Sequence, residues 1–131
     1  MIGMITMGKT SQRKGRDGEL ELCSRLREHG FDVKPGEAVS FGKVPDLTGL
    51  EGIHVEVKRC EKLALTSWLE QARKDSERFR DGLPAVFHRR NRQDWLVTMT
   101  LSDWSKLYKD TFMCNIGDIN ADFEEVNLDI Y

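Results

Sequence analysis

The chain has 131 residues, 39% hydrophobic and 32% charged, which is the composition of a single folded domain rather than a disordered or fibrous chain. No run approaches the ~20 apolar residues of a membrane span, and Met1–Gly8 is too short and glycine-broken for a signal peptide, so no membrane role is expected. Cys23, Cys60 and Cys114 form no C-x-x-C pair, which argues against a zinc ribbon or disulfide framework and for a reducing, cytoplasmic setting. The net charge of −2 hides an asymmetry: residues 1–109 hold all 20 Lys and Arg against 16 acids, while residues 110–131 hold six acids and no base. A mildly basic body is compatible with a polyanionic partner.

In chain order, residues 1–12 read as a flexible arm. Arg13, Lys14 and Arg16 then lead into a helix ending near His29, with Gly30 as its stop. Leu22, Cys23 and Leu26 form the apolar stripe of this helix, and Glu19 shares their face. A carboxylate there is costly unless it is paired or holds a cation. An acid in a first helical turn is also favourable in its own right. Phe31–Lys34 predicts a short strand, 35–43 a polar loop containing Ser40, and Asp46–Thr48 a second strand before the Gly49–Gly52 turn. Ile53–Lys58 is the clearest strand, with Ile53, Val55 and Val57 alternating with His54, Glu56 and Lys58.

A second helix is predicted to about Arg80, with Leu65, Trp68, Leu69, Ala72 and Phe79 as its stripe, Ser67 and Glu70 as a capping box, and Gln71, Lys74 and Arg78 on a flank. Strands follow at Leu83–His88 and Trp95–Thr100, separated by a turn with Arg89, Arg90 and Arg92. A short helix over Leu101–Lys109 carries Trp104, which with Trp68 and Trp95 is expected in the core. The domain is expected to span 13–109, followed by an acidic extension over 110–131. The predicted architecture is α/β, a central mixed β-sheet flanked by helices.

Asp46, Glu56 and Lys58 carry the chemistry. A tight turn brings Asp46 beside the Glu56 strand, and the two-residue period puts Lys58 on the same face as Glu56. Two carboxylates and the Val57 carbonyl make a hard oxygen site suited to Mg²⁺, with Mn²⁺ as a substitute. Such an ion lowers the pKa of a water and polarises a phosphodiester oxygen. Lys58 can orient or deprotonate that water, or neutralise charge on the phosphorane. Glu19 would complete the acidic cluster. The three histidines show no ligand spacing, although His54 shares the Glu56 face.

Pro45-Asp46 followed by Glu56-x-Lys58 resembles the PD-(D/E)xK nuclease superfamily. Arg16-Asp-Gly-Glu-Leu-Glu-Leu on the first helix, His29-Gly-Phe beyond it, and the Gly36–Lys43 loop resemble archaeal-type and phage Holliday-junction resolvases over roughly Arg13 to Val97. The resemblance implies a restriction-endonuclease-like fold and a homodimer that nicks four-way DNA junctions symmetrically with Mg²⁺. It implies metal ligation by Asp46 and Glu56, an acidic-cluster role for Glu19, and catalytic roles for Lys58, Gln71 and Ser40. The loop departs from the family in lacking a glycine-rich run around its serine. Arg13, Lys14, Arg16, Arg59 and Lys62 would grip phosphates. The alternatives are another nuclease of this superfamily, such as a restriction enzyme or repair nickase, or a DNA-binding module without catalysis.

Overall fold

The computed structural model describes the backbone of residues 2–36 and 44–113 and the side chains of 15–36 and 44–113. Helix α1 spans Ile2–Glu28, and strands β1 (Lys34–Pro35), β2 (Leu47–Thr48) and β3 (Ile53–Arg59) follow it. Helix α2 (Leu65–Phe79) leads to β4 (Leu83–Arg89) and β5 (Leu96–Thr98). The chain divides into two compact units at Met99/Thr100. The first is α/β, with a five-stranded mixed sheet in the order β1-β2-β3-β4-β5. Only β3 and β4 run parallel, as their crossover through α2 requires, and Ile53 to Arg59 pair in register with Leu83 to Arg89. The other neighbours are antiparallel.

The alternation along β3 and β4 separates two hydrophobic layers. Val55, Val57, Ala85 and Phe87 face α1, where they pack with Leu22, Cys23, Val33 and Leu47. Val86 faces the other way, against Trp68 and Ala72 of α2. Each fully buried Val or Leu contributes about 1.5–3 kcal/mol, so both helices are held by sheet contacts more than by propensity. This arrangement buries both faces of β3. His54 is 1% and Glu56 5% exposed, although a polar alternation usually marks a solvent face.

Several expectations are corrected. Residues 2–12 are helical rather than a loose arm, because extending an existing helix fixes one residue per hydrogen bond and Met, Lys and Ile accept it. The exit of α1 is a Schellman turn: Phe31 N–H donates to Leu26 O, Gly30 N–H donates to Arg27 O, and Gly30 has φ +94°. That turn uses Phe31, so β1 begins only at Lys34. The Arg27 guanidinium ties the helix end forward by donating to Val33 O at 2.8 and 3.1 Å. Ser67 is not a cap, because α2 starts at Leu65 and the Ser67 hydroxyl donates back to Ala64 O. Among the described residues, no helix is long and apolar enough to cross a membrane.

In the second unit, α3 (Leu101–Tyr108) is capped by the Thr100 hydroxyl, which accepts from Asp103 N–H. A π-helical turn, Lys109–Met113, continues it, so the expected break at residue 110 falls inside helical structure. Trp104 is 49% exposed rather than core, and it stacks on Tyr108, which stacks on Phe112. Four-residue spacing places these rings on one helix face. Residues 114–131 lie outside the described residues.

Gly18 lies where α1 packs tightly on β3: a Cβ there would sit 2.9 Å from Arg59 Cβ and 3.7 Å from Val57 Cγ1. Gly18→Val is therefore expected to destabilise the fold by about 1–3 kcal/mol through overpacking, read as a lower urea midpoint with unchanged slope.

Candidate active site

The β2–β3 register sets the site. Leu47 pairs with Val55, so Asp46 lies opposite Glu56, one step along the antiparallel ladder. Strand β2 is only two residues long. The Asp46 side chain takes over where the ladder stops, its Oδ2 accepting from Val57 N–H at 3.0 Å. Thus Val57 contributes its amide to hold the carboxylate. From the same strand, Lys58 Nζ stands 3.7 Å from Glu56 Oε1 and donates to Gln71 Oε1 of α2 at 2.9 Å. Gln71 and Glu56 together aim the ammonium group.

Glu19 approaches from α1. Because α1 begins at Ile2, Glu19 is mid-helix, and favourable placement at a helix N-terminus cannot account for it. Burial, and then the Asp46 carboxylate, push its pKa up to about 7, with Arg16 opposing. Asp46 is raised to about 6, first by burial and then by Glu56; Val57 N–H, Lys58 and His54 oppose that shift. Asp75 of α2 is also raised, by burial and then by Glu56. Burial is the first cause of each shift and a neighbouring carboxylate the second, so several acids crowd into a part-buried space around Asp46 and Glu56. All-oxygen donors in that condition suit a hard divalent cation.

His54 occupies the far side of Glu56. Its Nδ1 lies 2.9 Å from both Asp81 carboxylate oxygens, and its Nε2 lies 3.5 Å from Glu56 Oε2. Burial disfavours the charged imidazole, but the two flanking carboxylates outweigh it and raise the His54 pKa. Among the described residues, His54, Glu56 and Asp75 form a group whose ligand atoms all lie within 4.8 Å of one another. Asp75, 19 residues beyond Glu56 on α2, is the member of this group that histidine spacing does not reveal.

The expected phosphate grips fare differently. Arg16 is turned inward, pairing with Glu19 at 3.4 Å and hydrogen-bonding to the Gly36 carbonyl. Arg59 is held by Glu21 at 3.6 Å, by Glu61 at 3.9 Å and by Asn91 Oδ1, to which it donates at 2.8 Å. These two guanidiniums brace the fold around the site. Lys62 is exposed. The side chains of Arg13 and Lys14, and all of Ser40, lie outside the described residues. Glu21 escaped sequence reasoning. It gathers Arg59, Arg89 and the Trp95 indole N–H, the last donating at 3.0 Å. Its sequence signal is position alone, one residue before the buried stripe of α1.

No family model matches the chain. Nor does any curated protein.

The Glu19 shift has a testable sign. Its folded pKa is raised, so the folded state holds a proton that the unfolded state has lost between pH 4.5 and about 7. Stability of the metal-free protein therefore falls as pH rises through that window and stays low above it. Glu19→Gln is expected to stabilise the metal-free protein at pH 8 by roughly 1 kcal/mol, with the gain vanishing near pH 4; thermal melts at the two pH values check this.

Proposed function

We propose that the chain is a metal-dependent DNA endonuclease of the PD-(D/E)xK type, with a restriction-endonuclease-like fold. The observation that carries this reading is the convergence on Glu56 of Asp46 across the β2–β3 pair and of Lys58 held by Gln71. Glu19 adds a third acid beside Asp46. A site built only for stability would not collect under-neutralised carboxylates, because buried charge is costly without a partner.

In this reading Asp46 and Glu56 hold Mg²⁺, with the Val57 carbonyl and Glu19 as further oxygens and Mn²⁺ as a substitute. When bound, the ion supplies Lewis acidity toward the phosphodiester and its attacking water. Lys58 orients that water and offsets the charge that develops on the phosphoryl oxygens. Gln71 keeps the lysine from collapsing fully onto Glu56. Arg16 acts by holding Glu19 and the loop at Gly36, rather than by gripping a phosphate. Lys62, with Arg13 and Lys14, is left for the DNA backbone.

The substrate is most narrowly a four-way junction, nicked symmetrically by a homodimer in the manner of a Holliday-junction resolvase. This rests on the Arg16–Leu22 and Pro45–Lys58 resemblance. A two-fold junction needs two nicks related by the same symmetry as the enzyme.

Lys58→Ala is expected to lower Mg²⁺-dependent cleavage by roughly 10²–10⁴-fold while leaving DNA binding intact. Asp46→Asn should abolish cleavage under the same conditions. Cutting by either variant at the wild-type rate would remove the site assignment. Labelled four-way junctions offered beside linear, nicked and flap DNA of matched sequence read substrate choice. Preference for the junction supports a resolvase, and equal cutting of linear duplex leaves only a general nuclease.

A further inference from the structure

The side of Glu56 that faces away from Lys58 carries a feature the nuclease reading does not use. Among the described residues, His54 is one of the most deeply buried side chains, and its Nε2 has no hydrogen-bond partner there. Its other nitrogen is committed: Nδ1 lies 2.9 Å from both oxygens of Asp81, which keeps a proton on Nδ1, and Nε2 is turned toward Glu56 and Asp75. Nε2 set against carboxylates calls for something positive between them, either a proton on the ring or a metal ion.

The distances admit a metal ion there. Nε2 is 3.5 Å from Glu56 Oε2 and is not hydrogen-bonded to it. Two ligands about 2.0–2.1 Å from a shared tetrahedral ion stand ~3.4 Å apart, so the 3.5 Å spacing fits two ligands of one ion as well as it fits a charged imidazole beside a carboxylate. Asp75 completes the set, its ligand atom lying within 4.8 Å of the other two. The Asp81–His54 pair is the carboxylate–histidine arrangement that holds a metal-binding imidazole in the correct tautomer. Phe79 stacks against the other part of the ring, its centroid 6.2 Å away, and fixes its plane.

We propose that His54, Glu56 and Asp75 form a second divalent-cation site, distinct from the Asp46 side of Glu56, with Asp81 as its outer partner. One imidazole and two carboxylates favour Zn²⁺ or Mn²⁺ over Mg²⁺, because an imidazole nitrogen is a poor ligand for the harder ion. Two carboxylates balance the charge of one such ion. Glu56 serves both sides, with Oε1 toward Lys58 and Oε2 toward His54. The site stands whether or not the chain cuts DNA, since it needs only these side chains.

The test is Zn²⁺ titration of the full chain, followed by imidazole ¹⁵N resonances. Cys23, Cys60 and the other histidines make bulk Zn²⁺ uptake uninformative, whereas the His54 signal is specific. Zn²⁺ should shift His54 Nε2 to the metal-bound range and leave Nδ1 protonated. Asp75→Ala should abolish that shift, and Asp81→Asn should weaken it roughly 10–100-fold, with circular dichroism confirming that both variants fold. In the wild type, His54 resonances unmoved by Zn²⁺ and doubly protonated would mean that a proton fills the gap, which overturns the proposal. A response in Asp75→Ala equal to wild type would overturn it as well.

Discussion

Glu56 is the constraint around which the first unit is arranged. A carboxylate 5% exposed in the middle of a sheet is a large desolvation cost that apolar packing cannot offset. It is met from several directions: Lys58 from its own strand, His54 one step back, Asp46 across the β2–β3 pair and Asp75 from α2. Two of these neighbours are themselves acids. The arrangement concentrates charge instead of dispersing it, which makes sense when a cation is part of the working state.

The remainder of the unit positions those groups. Parallel pairing of β3 and β4 lets α2 cross the His54–Glu56–Lys58 face and present Gln71 and Asp75 from one helical side, four residues apart. On the opposite face, Leu22, Cys23, Val55 and Val57 seat α1, and Gly18 lets it approach closely enough for Glu19 to reach Asp46. Glu21 then draws in Arg59, Arg89 and Trp95, pinning α1 to β3, β4 and the turn before β5. The Arg59 and Arg89 guanidiniums thereby help hold the scaffold.

The order of elements and the five strands were legible in the sequence, because β-branched alternation and glycine stops are local signals. So was the shared face of Glu56 and Lys58. The burial of that face was not, since a polar alternation looks the same whether water or a helix covers it. Asp75 and Glu21 were missed for a related reason: their partners lie across the fold, and an acid on an amphipathic helix carries no mark of what it will meet. The carboxylate partners of Arg16 and Arg59 were not foreseen either, because charge is visible in a sequence and its partner is not. The start of α1 was placed at least eleven residues late, since glycine-rich residues 3–18 resemble a breaker region until the helix beyond them exists.

The direct measurement is anomalous diffraction from crystals of the full chain soaked in Mn²⁺. Cation binding at Glu56 requires a manganese peak within coordinating distance, about 2.0–2.3 Å, of a Glu56 carboxylate oxygen. Manganese found only at surface acids, with Glu56 still contacting nothing but Lys58, His54 and its neighbouring carboxylates, would contradict the view that this buried cluster exists to hold metal.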